Sequence, residues 1–455
     1  MASNRFQRRQ FLKGALGGGA SLLLSSCASF DAAFTNNKRI LEKEILIVGG
    51  GAAGLAAAYE LKKAKIPFRL FEGSQRLGGR AYAAHLSGGQ KVDLGAEFFS
   101  STDTTLLGYL KEFGYRPQEW APQNESFVIR NQEYIPAQNK KDIQKFLRAL
   151  IEAKQDLFAS QSLILTYENA PRLERSAYYD SLSLAEFLSE IAKKTSFELA
   201  KAFEMQFEFK YGTSADNIAA LHFLNELSLD GAKNLILPET LGAFMDSLAE
   251  RVIGPIPGYF ARTQMELIEI QEIPLGLELI FKTPQGRESY FAKQVILALP
   301  SQQLLKVKGL SSLNFERDIL RSLQSLNHGK MVKAAVREIN KNSLLRFAPA
   351  VTHWSYGESL RELTTYQSPD REIMARMINK DKEWLAYRDW TQVKMIGAGS
   401  SYFTPKTYAQ NMGIFQGPLV EGKVLLVGDF TEVQKFQTLE GALLSGVKAA
   451  RSITQ

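Results

Sequence analysis

The pattern of hydrophobic and polar residues divides the chain into segments of different character. Residues 45–48 (ILIV) are a continuous apolar run, typical of a strand buried in a parallel sheet. A glycine loop follows, and then a predicted helix over 52–64. Residues 424–427, near the other end, form a second apolar run. The pattern therefore predicts buried strands near both ends of the chain.

The region between these strands has other periods. Apolar residues recur every three or four positions through 139–227, which predicts a helix-rich cap. Residues 241–253 (LGAFMDSLAERVI) predict one more helix. Residues 265–299 are expected to form strands with polar breaks, and 329–380 alternates as antiparallel strands do. A chain of 455 residues is too long for one core, so two domains are expected.

Residues 1–27 form a basic leader with no acidic residue. Its apolar run is glycine-rich and shorter than the roughly 20 residues that a membrane-spanning helix needs, which predicts a removable export signal. The segment RRQFLK resembles a twin-arginine (Tat) signal, and LSSC resembles a lipobox that would place a lipid on Cys27. We therefore expect export across the inner membrane by the Tat machinery. A lipid anchor at Cys27 would hold the protein to a membrane, in the periplasm or on the cell surface, with residues 28–41 as a linker.

The leader changes what the composition implies. The chain has 55 basic and 48 acidic residues, but cleavage before Cys27 removes four cations and leaves 51 against 48, or +3. This small excess gives no argument for a nucleic-acid partner, and none is expected. Cys27 is the only cysteine, which excludes internal disulfides and thiolate metal sites. None of the four histidines is spaced as a metal ligand, so no metal is expected.

The loop after the first strand carries a dinucleotide-binding pattern. Gly49, Gly51 and Gly54 form G-x-G-x-x-G, which allows a tight turn, close approach of a pyrophosphate, and helix packing on the sheet. The helix N-terminus, with Ala53 in its first turn, then faces the phosphates. Glu72 ends the next strand, where its carboxylate can accept hydrogen bonds from ribose hydroxyls.

A second glycine loop decides between NAD and FAD. Arg76, Gly78, Gly79 and Arg80 form R-x-G-G-R soon after Glu72. The glycines permit backbone contact with the second part of a long cofactor, and arginines can pair with phosphate oxygens. Simple NAD dehydrogenases do not need such a loop, so FAD is the expected cofactor.

These motifs resemble those of the flavin-dependent amine oxidase superfamily, in which E-x(3)-R-x-G-G-R wraps FAD. The C-terminal segment KVLLVGDFTEVQKFQTLEGALL is similar to the final FAD motif of that family. The resemblance implies further cofactor contacts at Gly73, Gly95, Ala96, Ala261, Gly428, Asp429, Leu439 and Ala442. It also implies non-covalent FAD, because no cysteine lies near Gly399 to attach the flavin.

The resemblance implies an α/β fold, in which a Rossmann-like FAD-binding domain of the glutathione-reductase and amine-oxidase type is interleaved with an α+β substrate domain. The FAD-binding domain is expected to comprise residues 42–120, 236–310 and 410–455. The substrate or cap domain is expected to comprise residues 121–235 and 311–409.

The implied activity is that of an FAD-dependent oxidoreductase acting on a small-molecule substrate. In this family a hydride moves from a substrate C–N bond to flavin N5, and oxygen or another acceptor reoxidises the flavin. A lysine often holds a water at N5. Lys333 occupies the matching place here, with Lys330 as a rival. Burial there would lower the pKa of the lysine.

The aromatic cage of amine oxidases is the main departure. Thr438 and Gly399 occupy the two positions where the family carries rings. Phe436, Tyr402 or Trp354 are possible substitutes. The missing rings motivate one alternative to amine oxidation, a flavin desaturase or oxidase of a non-amine substrate. A non-catalytic FAD-binding accessory protein is a second alternative, from a different functional class.

Overall fold

The fold is taken from a computed structural model, which describes most of the chain from residue 37 onward. The described residues are 37–41, 45–120, 127–129, 132–134, 140–158, 164–227, 232–256, 258–338, 351–356, 360–365 and 382–454. The predicted signal of residues 1–27, including Cys27, lies outside them.

Helices and strands alternate along these residues. The helices are α1 Ala52–Lys63, α2 Thr104–Glu112, α3 Lys140–Phe158, α4 Ser176–Ser181, α5 Leu184–Lys194, α6 Phe197–Tyr211, α7 Ala220–Glu226, α8 Leu241–Ile253, α9 Ser301–Leu304, α10 Ile319–Ser325, α11 Tyr408–Asn411 and α12 Leu439–Thr454. The strands are β1 Asn37–Leu41, β2 Ile45–Val48, β3 Phe68–Phe71, β4 Ala83–His85, β5 Lys91–Asp93, β6 Phe99–Ser100, β7 Gln118–Glu119, β8 Phe127–Ile129, β9 Gln132–Tyr134, β10 Asn234–Ile236, β11 Ala261–Arg262, β12 Glu266–Ile273, β13 Gly276–Thr283, β14 Gly286–Ala292, β15 Val295–Leu297, β16 Asn327–His328, β17 Val332–Glu338, β18 Val351–Tyr356, β19 Leu360–Thr365, β20 Lys382–Asp389, β21 Ser401–Tyr402, β22 Pro418–Leu419 and β23 Val424–Leu426.

The central sheet joins distant parts of the chain. Its strand order is β11-β3-β2-β15-β23-β22, parallel except for β22. Leu46, Ile47 and Val48 are almost fully buried, as their continuous apolar run predicts. Every strand of this sheet lies within one of the three segments expected for the FAD-binding domain. The α/β fold with a Rossmann-like sheet is therefore confirmed.

Helices α1 and α12 pack closely beside this sheet. A Cβ added to Gly446 of α12 would lie 2.1 Å from the carbonyl oxygen of Ala53, so only glycine allows this approach. The glycine therefore brings the last helix of the chain against the first helix after the nucleotide loop.

A second layer is formed by the residues expected for the cap. Helices α3 to α7 fall within 139–227, and an antiparallel sheet has the order β18-β19-β17-β20. Its register places Lys333 of β17 opposite Arg388 of β20. Helix α5 begins with a capping box between Ser183 and Glu186, the expected signal for a helix start.

The last part of the predicted linker forms a strand. Asn37–Leu41 form β1, which pairs in parallel with β14 at the edge of the meander β12–β14. An edge strand offers unpaired N–H and C=O groups, so an adjoining segment can add to it. Residues 36–455 form one compact unit, so the division into two domains stays a prediction. No helix in the described ranges has the length and apolar character needed to cross a membrane.

Candidate functional site

A cavity of about 810 Å³ lies where the glycine loops of the central sheet meet the antiparallel sheet. It is lined by every residue predicted to bind FAD except Gly54 and Ala261, and also by Lys333. The loop wall denotes the lining from the loops after β2, β3 and β23, including Gly51, Gly79 and Asp429. The strand wall denotes Met331, Lys333, Arg388 and Trp390, from β17, β20 and their adjoining residues.

The loop wall begins with the first glycine motif. Gly49 has φ +108°, and an added Cβ would lie 2.4 Å from the carbonyl oxygen of Ala298. Gly54 does not line the cavity, because its Cα faces the loop and an added Cβ would lie 1.9 Å from the Gly49 oxygen. Gly54 therefore serves the close packing of α1 on the loop, which is the role that its position in the motif predicts.

Gly51 and Gly79 form a cradle that fits a dinucleotide. A Cβ on Gly51 would meet no atom nearer than the Gly79 Cα at 3.9 Å, so space is open above this glycine. Gly51 is the N-cap of α1 and supplies no side chain to the first N–H groups of the helix. These groups, with the positive end of the helix dipole, suit a pyrophosphate.

Glu72 is fixed at the same wall by two backbone groups. Its Oε2 accepts from the Gly50 N–H and its Oε1 from the Ser74 N–H, each at 2.7 Å. A carboxylate has about four acceptor sites, so Glu72 can still accept from ribose hydroxyls.

Ala261, the predicted adenine contact, does not line the cavity, and its role stays a prediction. Ala261 lies in β11 beside Leu70 of β3, where the sheet ladder engages its backbone, and it does not line the cavity. The lining is supplied instead by the following residues, 265–268. A backbone contact with adenine would therefore come from the start of β12.

The two arginines of R-x-G-G-R have different roles. The Arg76 guanidinium donates to the carbonyls of Leu77, at 2.8 Å, and Gly79, so it holds the glycine loop from within. Burial, with the nearby charge of Arg388, lowers the pKa of Arg76. Both terminal nitrogens thus donate to loop carbonyls, and the predicted phosphate contact of Arg76 stays a prediction.

Arg80 connects the two ends of the chain. Its Nη2 lies 2.7 and 2.8 Å from the two carboxylate oxygens of Asp429, and its Nη1 donates to the Gly399 carbonyl at 2.6 Å. His328 lies beside this pair, with Nε2 2.8 Å from the hydroxyl of Ser301. Burial and the positive charge of Arg80 lower the pKa of His328 to about 4, against an opposing effect of Asp429.

Lys333 is the lysine that reaches the cavity. Its Nζ lies 2.9 Å from Oε2 of Glu97, and the two side chains are only 9% and 4% exposed. Lys330 is exposed and does not line the cavity, so the geometry favours Lys333 over this rival. A buried ammonium is costly unless it is paired, and Glu97 provides the opposite charge.

Glu97 belongs to a larger buried cluster. Asp93 caps the start of α8 by accepting from the N–H groups of Leu241 and Gly242, at 2.8 and 2.9 Å. Burial raises the pKa of Asp93 to about 7; these hydrogen bonds oppose the rise, and the charge of Glu97 adds to it. Two carboxyl groups and one ammonium thus lie behind the strand wall.

Three cavity-site residues were not predicted from the sequence: Glu97, Arg388 and Trp390. Glu97 directly follows Ala96 in the segment DLGAEFF, which marks it as a polar group near the predicted flavin contacts. Arg388 and Trp390 line the cavity because β20 pairs with β17, and no local motif predicts that pairing.

The two predicted cage positions lie at the cavity. Gly399 and Thr438 both line it, and a Cβ on Gly399 would lie 2.8 Å from the Met331 Cβ, which leaves no room for a ring there. Phe436 and Tyr402 are buried outside the lining. The side chain of Trp354 is outside the described residues. Among described lining residues, Trp390 supplies the aromatic ring.

No group of three or more histidine, cysteine, aspartate or glutamate side chains within the described ranges could hold a metal ion.

Comparison with known proteins supports a flavin site. The chain is 25% identical over 287 residues to achacin from Lissachatina fulica, an alignment that covers 56% of this chain and 53% of achacin. The chain thus matches about half the length of that curated relative. The fold is similar to that of putrescine oxidase solved with bound putrescine, with a TM-score of 0.72, 17% identity, and coverage of 91% of this chain and 100% of that one.

Cyclohexylamine oxidase from Brevibacterium oxydans gives a TM-score of 0.71 at 17% identity, over 90% of this chain and 98% of its own. At such identities the likeness shows the fold. The family assignment rests on the model for flavin containing amine oxidoreductases, which matches residues 52–339. That match begins after Gly49 and Gly51 of the first glycine loop, and it includes Gly54, Glu97 and Lys333. The chain therefore belongs to the flavin containing amine oxidoreductase family and is an FAD-dependent oxidoreductase.

Proposed function

We propose that this protein oxidises a C–N bond of an amine substrate, with Lys333 acting at the flavin ring and FAD held without a covalent bond. One observation carries the proposal: a buried, ion-paired lysine lines the same cavity as the dinucleotide motifs from both ends of the chain. When bound, FAD supplies the hydride acceptor.

The loop wall would hold the cofactor. Gly51 and Gly79 leave room for the pyrophosphate, and Glu72 presents acceptors to a ribose. Arg80 and Asp429 fix the loop after β23 against R-x-G-G-R. The one cysteine of the chain lies in the predicted signal, which supports a flavin without a thioether link.

The strand wall would position the substrate and handle protons. Glu97 pairs with the Lys333 ammonium in a buried setting, and this opposite charge offsets the cost of burying the ammonium. Lys333 can then hold a water and its proton at the cavity surface. Thr438 carries no ring at its position in the lining, which favours a bulky amine as the substrate.

The test is an anaerobic absorbance spectrum of the purified protein, titrated with amines, polyamines and amino acids. We expect flavin bands at about 370 and about 450 nm, as for a bound flavin, and loss of the longer-wavelength band with at least one amine class. Flavin that no amine reduces, but a non-amine hydride donor does, would support the desaturase alternative. Flavin that no donor reduces would support the accessory role.

We also propose that the protein is exported by the Tat route and lipid-anchored at Cys27. The support is the order of the two signals in RRQFLK and LSSC. An FAD site assembled from both chain ends exists only in the folded protein, which fits a route that carries folded cargo. Replacing both Arg8 and Arg9 by lysine should leave the precursor in the cytoplasm, and Cys27→Ser should abolish labelling with radioactive fatty acid. Unchanged export or labelling would refute the corresponding signal.

A further inference from the structure

The strand wall carries a guanidinium that the flavin loops do not use. Arg388 of β20 lies directly opposite Lys333 of β17, and both side chains line the cavity. Residues opposite each other on antiparallel strands project from the same face, with Cβ atoms about 4.5–5.5 Å apart. Arg388 is therefore the immediate neighbour of the lysine that we assign to the flavin ring.

Arg388 is held by aromatic rings. Its guanidinium carbon lies 4.9 Å from the ring centre of Tyr82 and 5.0 Å from that of Trp390. The Trp390 indole is fixed in turn, because its N–H donates to the Leu94 carbonyl at 2.7 Å. Two rings thus orient the guanidinium without neutralising it.

Within the described ranges, the guanidinium of Arg388 has no protein acceptor. Its Nε is buried and makes no hydrogen bond, and the described residues give the guanidinium no hydrogen bond or ion pair. The other arginines and the lysine at this junction are engaged: Arg80 by Asp429, Arg76 by loop carbonyls, and Lys333 by Glu97. An arginine does not lose its proton in a protein, so an oxyanion is the natural complement.

Two oxyanions could enter this cavity, a substrate carboxylate and the FAD pyrophosphate. The cradle for the pyrophosphate lies on the loop wall, at Gly51, Gly79 and the start of α1. Arg388 instead lies on the strand wall beside Lys333. The register therefore favours the substrate as the source of the anion.

We propose that Arg388 binds the substrate carboxylate, so that the amines oxidised by this enzyme are amino acids. The inference rests on the proposed function. A planar guanidinium accepts a carboxylate through two parallel hydrogen bonds, which fixes direction as well as charge. In an α-amino acid the carboxylate is bonded to the carbon that loses the hydride. Anchoring it beside Lys333 therefore holds that carbon near the flavin.

The test compares each amino acid with its decarboxylated amine in anaerobic flavin reduction: L-phenylalanine with 2-phenylethylamine, and L-lysine with cadaverine. The variants are Arg388→Met, Arg388→Lys, and Arg321→Met as a matched control, since Arg321 is 77% exposed on α10. We expect wild type to prefer the amino acids. Arg388→Met should raise the half-saturating amino acid concentration by about 100-fold and leave the amine value nearly unchanged. Arg388→Lys should fall between, because it keeps charge but loses the fork.

A binding measurement separates the carboxylate from the cofactor. Benzoate should perturb the flavin spectrum of wild type, and its Kd should rise by about 100-fold in Arg388→Met at an unchanged flavin-to-protein ratio. A variant that loses FAD but keeps its preference would assign Arg388 to the pyrophosphate and overturn the proposal. Wild type reduced by amines and not by amino acids would overturn it while the proposed function stands. Flavin that neither class reduces would remove both.

Discussion

The two walls of the cavity are built in different ways. The loop wall is made of short motifs in which missing side chains matter: Gly51 leaves space, and the first turn of α1 offers N–H groups. The strand wall is made of large charged and aromatic side chains, Lys333, Arg388 and Trp390, which meet only because two strands pair. The residues predicted to bind the cofactor thus lie in short sequence motifs, whereas the residues of the proposed substrate chemistry come together only through the pairing of distant strands.

The largest expected effect comes from filling the loop wall. Gly51 has φ −75°, which suits any residue, and an added Cβ meets no protein atom closer than 3.9 Å. Gly51→Val should therefore fold but occupy the space of the pyrophosphate, so purified protein should carry less than about a tenth of the wild-type flavin. The measurement is the ratio of absorbance near 450 nm to that of the protein.

Gly108→Val is the matched control, because Gly108 of α2 has no neighbour within 4 Å of an added Cβ. This control should retain its flavin. Full flavin content in Gly51→Val would mean that the cofactor does not bind at the cradle. The assignment of cofactor binding to the loop wall would then be wrong.

The second-largest expected effect comes from breaking the buried ion pair between Glu97 and Lys333. Glu97→Gln leaves the Lys333 ammonium buried without its carboxylate, so the free energy of unfolding should fall by about 3 kcal/mol. Glu119→Gln is the control, since Glu119 pairs with Lys233 at the surface, and should cost less than about 1 kcal/mol. Urea denaturation monitored by fluorescence gives both values. Equal losses would show that the buried pair has no special role in stability.

The sequence predicts the loop wall well because its signals are local. The motif G-x-G-x-x-G follows a strand and opens a helix, and Glu72 and Gly428-Asp429 each come after a strand. Most of these residues line the cavity. Their contacts with FAD stay predictions. Ala261 lies outside the lining because β11 pairs with β3, and this pairing, rather than a motif, decides which backbone groups face the cavity.

The contacts of the strand wall cannot be predicted from a single sequence. Glu97 and Lys333 are 236 positions apart, and no motif near either residue predicts their contact. The pairing of Lys333 with Arg388 also depends on a shift in register between Ala335 and Val336. A one-residue slip would turn such side chains to the other face of the sheet. No local motif predicts β1 either, because this strand at the end of the predicted linker forms by pairing with the edge of β14.

A kinetic prediction separates the roles of the two walls. Lys333→Met should keep its flavin, because Lys333 belongs to the strand wall, but flavin reduction or reoxidation should slow by about tenfold or more. Lys330→Met is the control, since Lys330 is exposed and outside the cavity. Stopped-flow absorbance resolves the two half-reactions. If both rates match wild type, Lys333 has no part in the chemistry.

The smallest expected effect probes the junction of the walls, where His328 lies beside Arg80 and Asp429. The pKa of His328 is about 4 in the folded protein, below its ordinary value of 6.5, because burial and Arg80 disfavour its charge. Between these two values the unfolded chain binds more protons, so stability rises with pH across this window and is lost as pH falls.

His328→Gln should therefore reduce the slope of the unfolding free energy against pH by about 1 kcal/mol per pH unit from pH 4.5 to 6. Asp93 changes stability in the opposite sense over a similar range, because its pKa is raised, so only the difference between wild type and variant isolates His328. Parallel curves would mean that His328 is solvated when charged, and that the junction opens enough to admit water.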